Sequence, residues 1–150
     1  MNPQANLTIK QVPPEQIYNI RHKILREADP DLSPKFNGDN LPTTAHYGVF
    51  DQTGTLIACC TLIENALDAR PSRQLRGMAV ESHLQGQGVG SQLLKYVETH
   101  QPPPPRDLWC NARISAAAFY QAHGWSLVSD PFDIPTVGPH VKMYKQLIDA

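Results

Sequence analysis

The segment Gln85-Gly86-Gln87-Gly88-Val89-Gly90 constrains this chain more than any other. It lies between a run that reads as a strand, Leu75 to Val80, and a run that reads as an amphipathic helix, Ser91 to Glu98. Glycines at alternate positions let the backbone turn tightly and present several N–H groups in succession at a helix N-terminus, where the helix dipole favours an anion. The segment therefore predicts a cradle for a pyrophosphate. Two familiar glycine motifs fail against it. A P-loop needs Gly-Lys followed by Ser or Thr, whereas Gly90 is followed by Ser91 and Gln92, so no lysine reaches terminal phosphates. A dinucleotide fingerprint starting at Gly86 needs glycine at position 91, which is Ser, and the segment lies past the chain's midpoint rather than after a first strand.

A third pattern fits: Gln or Arg, two residues, Gly, one residue, then Gly or Ala, here Gln85, Gly88 and Gly90. It resembles the coenzyme A loop of the GNAT N-acetyltransferase superfamily. The flanks extend the resemblance. Leu75-Arg76-Gly77-Met78-Ala79-Val80 is similar to the family's fourth strand; Leu108 to Asn111, then Ala117-Phe119-Tyr120 and Gly124-Trp125, to its fifth strand and following helix. Gly138 to Lys145 resembles the last strand in one branch, and Ile20 to Arg26 the first helix. The resemblance covers nearly the whole chain, most specifically residues 75 to 145, and implies a mixed α/β (α+β) acyltransferase fold. That fold has a mostly antiparallel central sheet of six to seven strands with helices on both faces.

The local patterns agree with such a fold. Leu7 to Val12 alternates like a strand, Pro14 suits a helix start, and Ile17, Ile20, Ile24 and Leu25 recur at helical spacing. Asp29 to Thr44 is polar, proline-bearing and without a period. Tyr47 to Phe50 and Leu56 to Ile63 flank Asp51-Gln52-Thr53-Gly54 and predict a hairpin. Both alternating sets of the second run are largely apolar, as expected of a strand covered on both faces. Val89, Leu93 and Val97 mark the buried stripe of the helix after the glycines, which is expected to stop before Pro102. The prolines at 102 to 105 read as an extended connector.

At 150 residues, 41% hydrophobic and with net charge −1, the chain is expected to form one domain over residues 1–150 and to bury roughly two-thirds of its unfolded surface. Its three cysteines form neither a CxxC pair nor a disulfide framework, Met1 to Lys10 holds no apolar core segment, and no run approaches a spanning helix. These features predict a cytoplasmic protein with no membrane association, and the near-neutral charge argues against a nucleic-acid partner. The six histidines show no HxxxH or HExxH spacing, so no metal is expected.

The resemblance implies acetyl-CoA as acyl donor, an amine as acceptor and a homodimer through the C-terminal strands. It assigns the pyrophosphate to the backbone of Gln85, Gly86, Gln87, Gly88, Val89 and Gly90 with Ser91 at the helix start. The pantetheine arm falls to the main chain of Met78, Ala79 and Val80, with the Met78 N–H as donor to the thioester oxygen, and Asn111 adds a side-chain amide. The resemblance also makes Tyr120 the expected catalytic acid for the departing thiolate; a phenol with a reference pKa of about 10 keeps its proton at neutral pH. The glutamate that some relatives carry four residues before the oxyanion donor is Gln74 here. Glu64, His46, His140 or a water relay remain as the base. The stretches 29–44 and 129–140 are expected to wall the acceptor pocket, where Asp29, Asp31, Asp39, Asp130 and Asp133 either attract a cationic amine or cap turns. The alternative is a non-catalytic module that binds or senses acyl-CoA.

Overall fold

The computed structural model describes residues 6–148, so the first five residues of the segment read for a leader lie outside the described residues. Contacts group the chain into two compact units. One runs to Ile63 and includes Arg76–Pro102; the other comprises Glu64–Leu75 and the chain from Pro103 onward. Strand β4 (Ser72–Val80) contributes its first half to the second unit and its second half to the first.

In the first unit, β1 (Thr8–Val12) pairs antiparallel with β2 (Ala45–Phe50), and β2 pairs antiparallel with β3 (Leu56–Glu64). The predicted hairpin turn forms because Asp51 Oδ1 accepts the N–H groups of Thr53 and Thr55, while Gly54 takes φ +83°. Residues Ile57–Ile63 of β3 are all buried, which explains why neither face of that strand is polar. Helix α1 (Tyr18–Leu25) follows a 3-10 turn over Pro14–Gln16 rather than starting at the proline. Its Ile20 and the preceding Ile17 join Val12, Cys59 and Ala79 in one apolar cluster. Helix α2 (Val89–Thr99) buries Val89, Leu93, Leu94 and Val97, each adding about 1.5–3 kcal/mol relative to exposure. Residues 29–44 form turns and bends without a regular element, as the missing period foretold.

In the second unit, Ser72–Gln74 of β4 pair in parallel with Asp107–Trp109 of β5 (Asp107–Arg113). Strand β8 (Gly138–Lys145) runs antiparallel to β5 and also takes β6 (Ser126–Leu127) and β7 (Phe132–Ile134). Helix α3 (Ala117–Ala122) is only six residues long. Buried Leu108, Trp109, Cys110, Ala112, Trp125, Val141 and Met143 make the core here. The Asp107 carboxylate fixes the chain after β8, because Oδ1 accepts the N–H groups of Leu147 and Ile148 and Oδ2 accepts the Tyr144 hydroxyl at 2.5 Å.

The class is the mixed α+β fold with mostly antiparallel strands that the sequence predicts. Among the described residues there are eight strands, against the about six to seven expected, since β6 and β7 are too short to leave a period. Residues 102–104 are bends, so the proline run is not the continuous extended connector expected of it. No helix among the described residues is long and apolar enough to cross a membrane, and no group of three His, Cys, Asp or Glu among them is placed to hold a metal.

Candidate active site

Two positive-φ glycines shape the predicted cradle in the first unit. Gly86 has φ +77° and Gly88 φ +88°, and Gly88 caps α2, whose first residue, Val89, lies two residues before the Ser91 at which the helix-like run was read. The first intrahelical bond runs from the Gln92 N–H to the Gly88 oxygen. Val89, Gly90 and Ser91 therefore stand in the first turn, where backbone N–H groups have no intrahelical acceptor and the positive end of the dipole favours an anion. A Cβ on Gly86 would meet nothing within 4 Å, so that side of the turn is open. Gln85 serves locally: its Nε2 donates to the Val80 oxygen at 3.0 Å and ties the turn to the end of β4, while Gln87 Nε2 reaches the His83 oxygen at 2.9 Å.

Upstream in β4, Ala79 is buried, while Met78 and Val80 are half-buried. Gly77 just before them takes φ +67°, a break in an otherwise extended strand. A side chain there would stand 3.1 Å from the Phe36 ring and 3.2 Å from Arg21 Nε. Glycine thus allows both groups to close on the β4 backbone directly before Met78.

The second unit holds the other two assigned residues. Asn111, on β5, accepts at Oδ1 from Lys142 Nζ at 2.9 Å, its register partner on β8. Tyr120, on α3, is 8% exposed, packed edge-on to Phe119 and tilted against Trp125, with both centroids at 5.2 Å. Its side chain also hydrogen-bonds the Cys110 thiol, which burial nonetheless pushes up to about 12. Burial likewise raises Cys59 to about 12 and Cys60 well above its ordinary value, so all three thiols keep their protons at neutral pH.

Each candidate base makes at least one polar contact, and only His46 has both ring nitrogens bonded. Glu64 accepts from Arg73 Nε at 2.6 Å, and His140 is buried with Nδ1 2.7 Å from the Gly138 oxygen. His46 is buried with both ring nitrogens occupied, Nδ1 on Thr61 Oγ1 at 2.8 Å and Nε2 on the Asp39 oxygen at 2.9 Å. Gln74 accepts from Asn65 Nδ2.

His46 leads to the part of the first unit that sequence reasoning missed. Arg21 on α1 is wholly buried, yet four of its five N–H donors are satisfied: Nη1 by Pro34 O and Asp39 Oδ2 (2.6 Å), Nη2 by Asp39 Oδ1 (3.1 Å) and Thr61 Oγ1 (2.7 Å). Asp39 Oδ2 takes the Phe36 N–H as well. Burial would raise the Asp39 carboxyl, but the hydrogen bonds from Arg21 and Phe36 and the Arg21 charge hold it below its usual value. The bonds fix the histidine tautomer. Nε2–H must donate to the Asp39 carbonyl, and Nδ1 accepts from a Thr61 hydroxyl whose oxygen already takes Arg21. Burial therefore lowers the His46 pKa, and the Arg21 charge adds to the effect. This network fastens residues 34–39 to α1, β2 and β3, and it removes Asp39 from the acidic groups expected to greet a cation. Asp29 caps a local turn by accepting the Asp31 N–H. The available signal was the helical period itself, since Arg21 sits with Ile17, Ile20 and Ile24 at the spacing of a buried stripe.

Comparison with known proteins identifies the family. The family model described as "Acetyltransferase (GNAT) domain" matches residues 43–127. A protein of Bacillus subtilis (strain 168) described as "Uncharacterized N-acetyltransferase YitI" is 35% identical over 145 residues, spanning 94% of this chain and 97% of that one. Among solved structures, a putative N-acetyltransferase from Lactobacillus plantarum superposes with TM-score 0.76 at 21% identity, over 95% of this chain and 99% of that one. An aminoglycoside 6'-N-acetyltransferase complexed with coenzyme A gives 0.75 at 15% identity, over 95% and 98%. The chain belongs to the GNAT superfamily of N-acetyltransferases.

Proposed function

We propose that this acetyltransferase moves the acetyl group of acetyl-CoA to a primary amine by direct attack in a ternary complex, with the whole chain as one catalytic domain working in the cytosol. The observation that carries this reading is the turn at Gly86 and Gly88, which opens α2 on three N–H groups without intrahelical acceptors, the chemistry a pyrophosphate requires. The β4 main chain at Met78 to Val80 would bind the pantetheine arm, and the Asn111 amide would add to that grip. As the amine nitrogen attacks the thioester carbon, charge grows on the carbonyl oxygen and the Met78 N–H stabilises it. Collapse of the tetrahedral species breaks the C–S bond, and Tyr120 gives its proton to the departing thiolate. The Tyr120 side chain hydrogen-bonds the Cys110 sulfur, which is consistent with a phenol that can donate to sulfur.

Direct attack is supported by the cysteines. All three are buried and their thiols are held protonated, so none offers the thiolate an acetyl-cysteine intermediate would need. The proton of an ammonium acceptor leaves to water or to His140, whose Nδ1–H donates to the Gly138 oxygen and leaves Nε2 as the basic nitrogen, whereas His46 has both ring nitrogens bonded and Glu64 is paired with Arg73.

Calorimetric titration with acetyl-CoA and CoA, followed by thiol release over an amine panel, tests the reading. Tyr120→Phe, which keeps the ring packing, is expected to lower kcat about a hundredfold with CoA affinity unchanged. Binding without turnover of any amine favours the acyl-CoA binding module instead, and no binding removes both.

A further inference from the structure

Three guanidinium groups gather on one aromatic ring in the first unit. Arg21, Arg26 and Arg76 lie 4.0, 5.0 and 5.5 Å from the Phe36 centroid, and Lys35 lies 5.7 Å over the neighbouring Tyr18. The one carboxylate built into this cluster, Asp39, has both oxygens committed to Arg21 and one also to the Phe36 N–H. Arg26 is occupied by the Ser33 carbonyl.

The Nε of Arg21 is buried without a partner, as is that of Arg76, and among the described residues Arg26 and Arg76 both lack a carboxylate partner; of the three, Arg76 alone lies on β4. Its Nη2 donates to the Asn37 oxygen, its Nε is buried with no partner, and among the described residues no carboxylate lies within ion-pairing distance of it. A guanidinium does not shed its proton, so the charge stays. Burial and the nearby Arg21 both work against that charge, with only the already committed Asp39 in its favour. A cation left in this state is structurally costly and chemically suited to an anion that arrives from outside. Its place matters as much. Arg76 precedes the proposed oxyanion donor Met78 by two residues of β4, about 7 Å along an extended strand, and the Gly77 break lies between them.

We infer that Arg76 recognises the acceptor, and that the acceptor is an amine carrying a carboxylate a few bonds from its nitrogen, a free amino acid. The inference rests on the acetyltransferase reading above and names the substrate class of that same site. A carboxylate takes N–H bonds from the accessible part of this half-buried guanidinium and neutralises its charge. A polycationic amine would instead meet Arg26, Arg76 and Lys35 with no free carboxylate among them, and is selected against.

The test titrates the protein, in saturating CoA, with each proteinogenic amino acid and with the amine made by removing its carboxylate, such as L-phenylalanine against phenethylamine and L-leucine against 3-methylbutylamine. At least one acid is expected to bind about tenfold or more tightly than its own amine. Arg76→Gln is expected to erase that gap while leaving the amine's affinity in place, and Arg76→Lys, which keeps the charge without the fork, to restore part of it. Equal affinity within every pair, tighter binding of the decarboxylated members, or no binding by any acid overturns the inference from wild-type data alone, whatever the variants do. Thiol release over the same panel separates the two layers. Selective binding of acids without turnover sinks the transfer reading and leaves the recognition site, whereas turnover confined to decarboxylated amines sinks the site and leaves the transfer reading.

Discussion

The turn at Gly86 to Ser91 and the network around Arg21 lie in the same unit, and they use opposite means. The turn works through backbone: positive φ at two glycines, an open side, and N–H groups with no intrahelical acceptor. Its side chains, Gln85 and Gln87, are spent on neighbouring carbonyls. The Arg21 network works through side chains drawn from α1, the stretch before β2, β2 and β3, all buried and nearly all mutually satisfied. One region is left unsatisfied for a ligand and the other is closed on itself. Binding and stability should therefore separate cleanly between them.

The strongest way to break this comparison is to open the closed region. Arg21→Met leaves the Asp39 carboxylate buried without its cation and is expected to cost about 3–5 kcal/mol in urea unfolding. Adding Asp39→Leu should recover much of that loss, because an apolar pair of similar volume needs no compensation. CoA affinity of the folded protein, measured by calorimetry, should stay within about twofold since no cradle atom is touched. A parallel collapse of CoA affinity in the double variant would show the two regions to be one.

The converse change acts on the turn. Gly88→Glu forces a side chain into φ +88° and puts a carboxylate at the anion site, so the Kd for CoA is expected to rise about a hundredfold, roughly 3 kcal/mol. The strain alone should cost about 1–2 kcal/mol of stability. Gly88→Ala carries the strain without the charge. If it weakens CoA as much as the glutamate does, the turn's shape rather than its charge preference holds the ligand.

The same contrast explains what was legible in the sequence. Glycine spacing is a local code, so Gln85, Gly88 and Gly90 could be read within six residues, and the four-residue steps of Val89, Leu93 and Val97 located α2. The hairpin of β2 and β3 was equally local, written in Asp51 and Gly54. The Arg21 network was not, because Arg21, Asp39, His46 and Thr61 are separated by 18, 7 and 15 positions between bonded partners, and the one local signal, Arg21 on the apolar stripe of α1, names none of its partners. Gly77 was hidden for a related reason. Only the approach of Phe36 and Arg21 reveals why β4 needs a glycine there. Strands β6 and β7, two and three residues long, fall below the length at which alternation can be seen.

The smallest effect sharpens the comparison by pH. His46 is held neutral, with a folded pKa below the ordinary 6.5, by burial and by the Arg21 charge. The unfolded chain thus binds a proton that the folded one resists. Stability from this group is complete above the unfolded pKa and is lost as pH falls from there toward the lower folded value. Asp39 does not blur the window, because its own folded pKa lies below 3.8 and its contribution fades only at more acid pH. Protonating Nδ1 would also turn an acceptor of the Thr61 hydroxyl into a second donor aimed at an oxygen that already takes Arg21. Urea midpoints of the wild type are therefore expected to drop between pH 7 and pH 5, and His46→Gln, which has no proton to gain, to show a flatter dependence from a lower start. Equal slopes in the two proteins would place the acid sensitivity elsewhere and show that the closed network tolerates a charged ring.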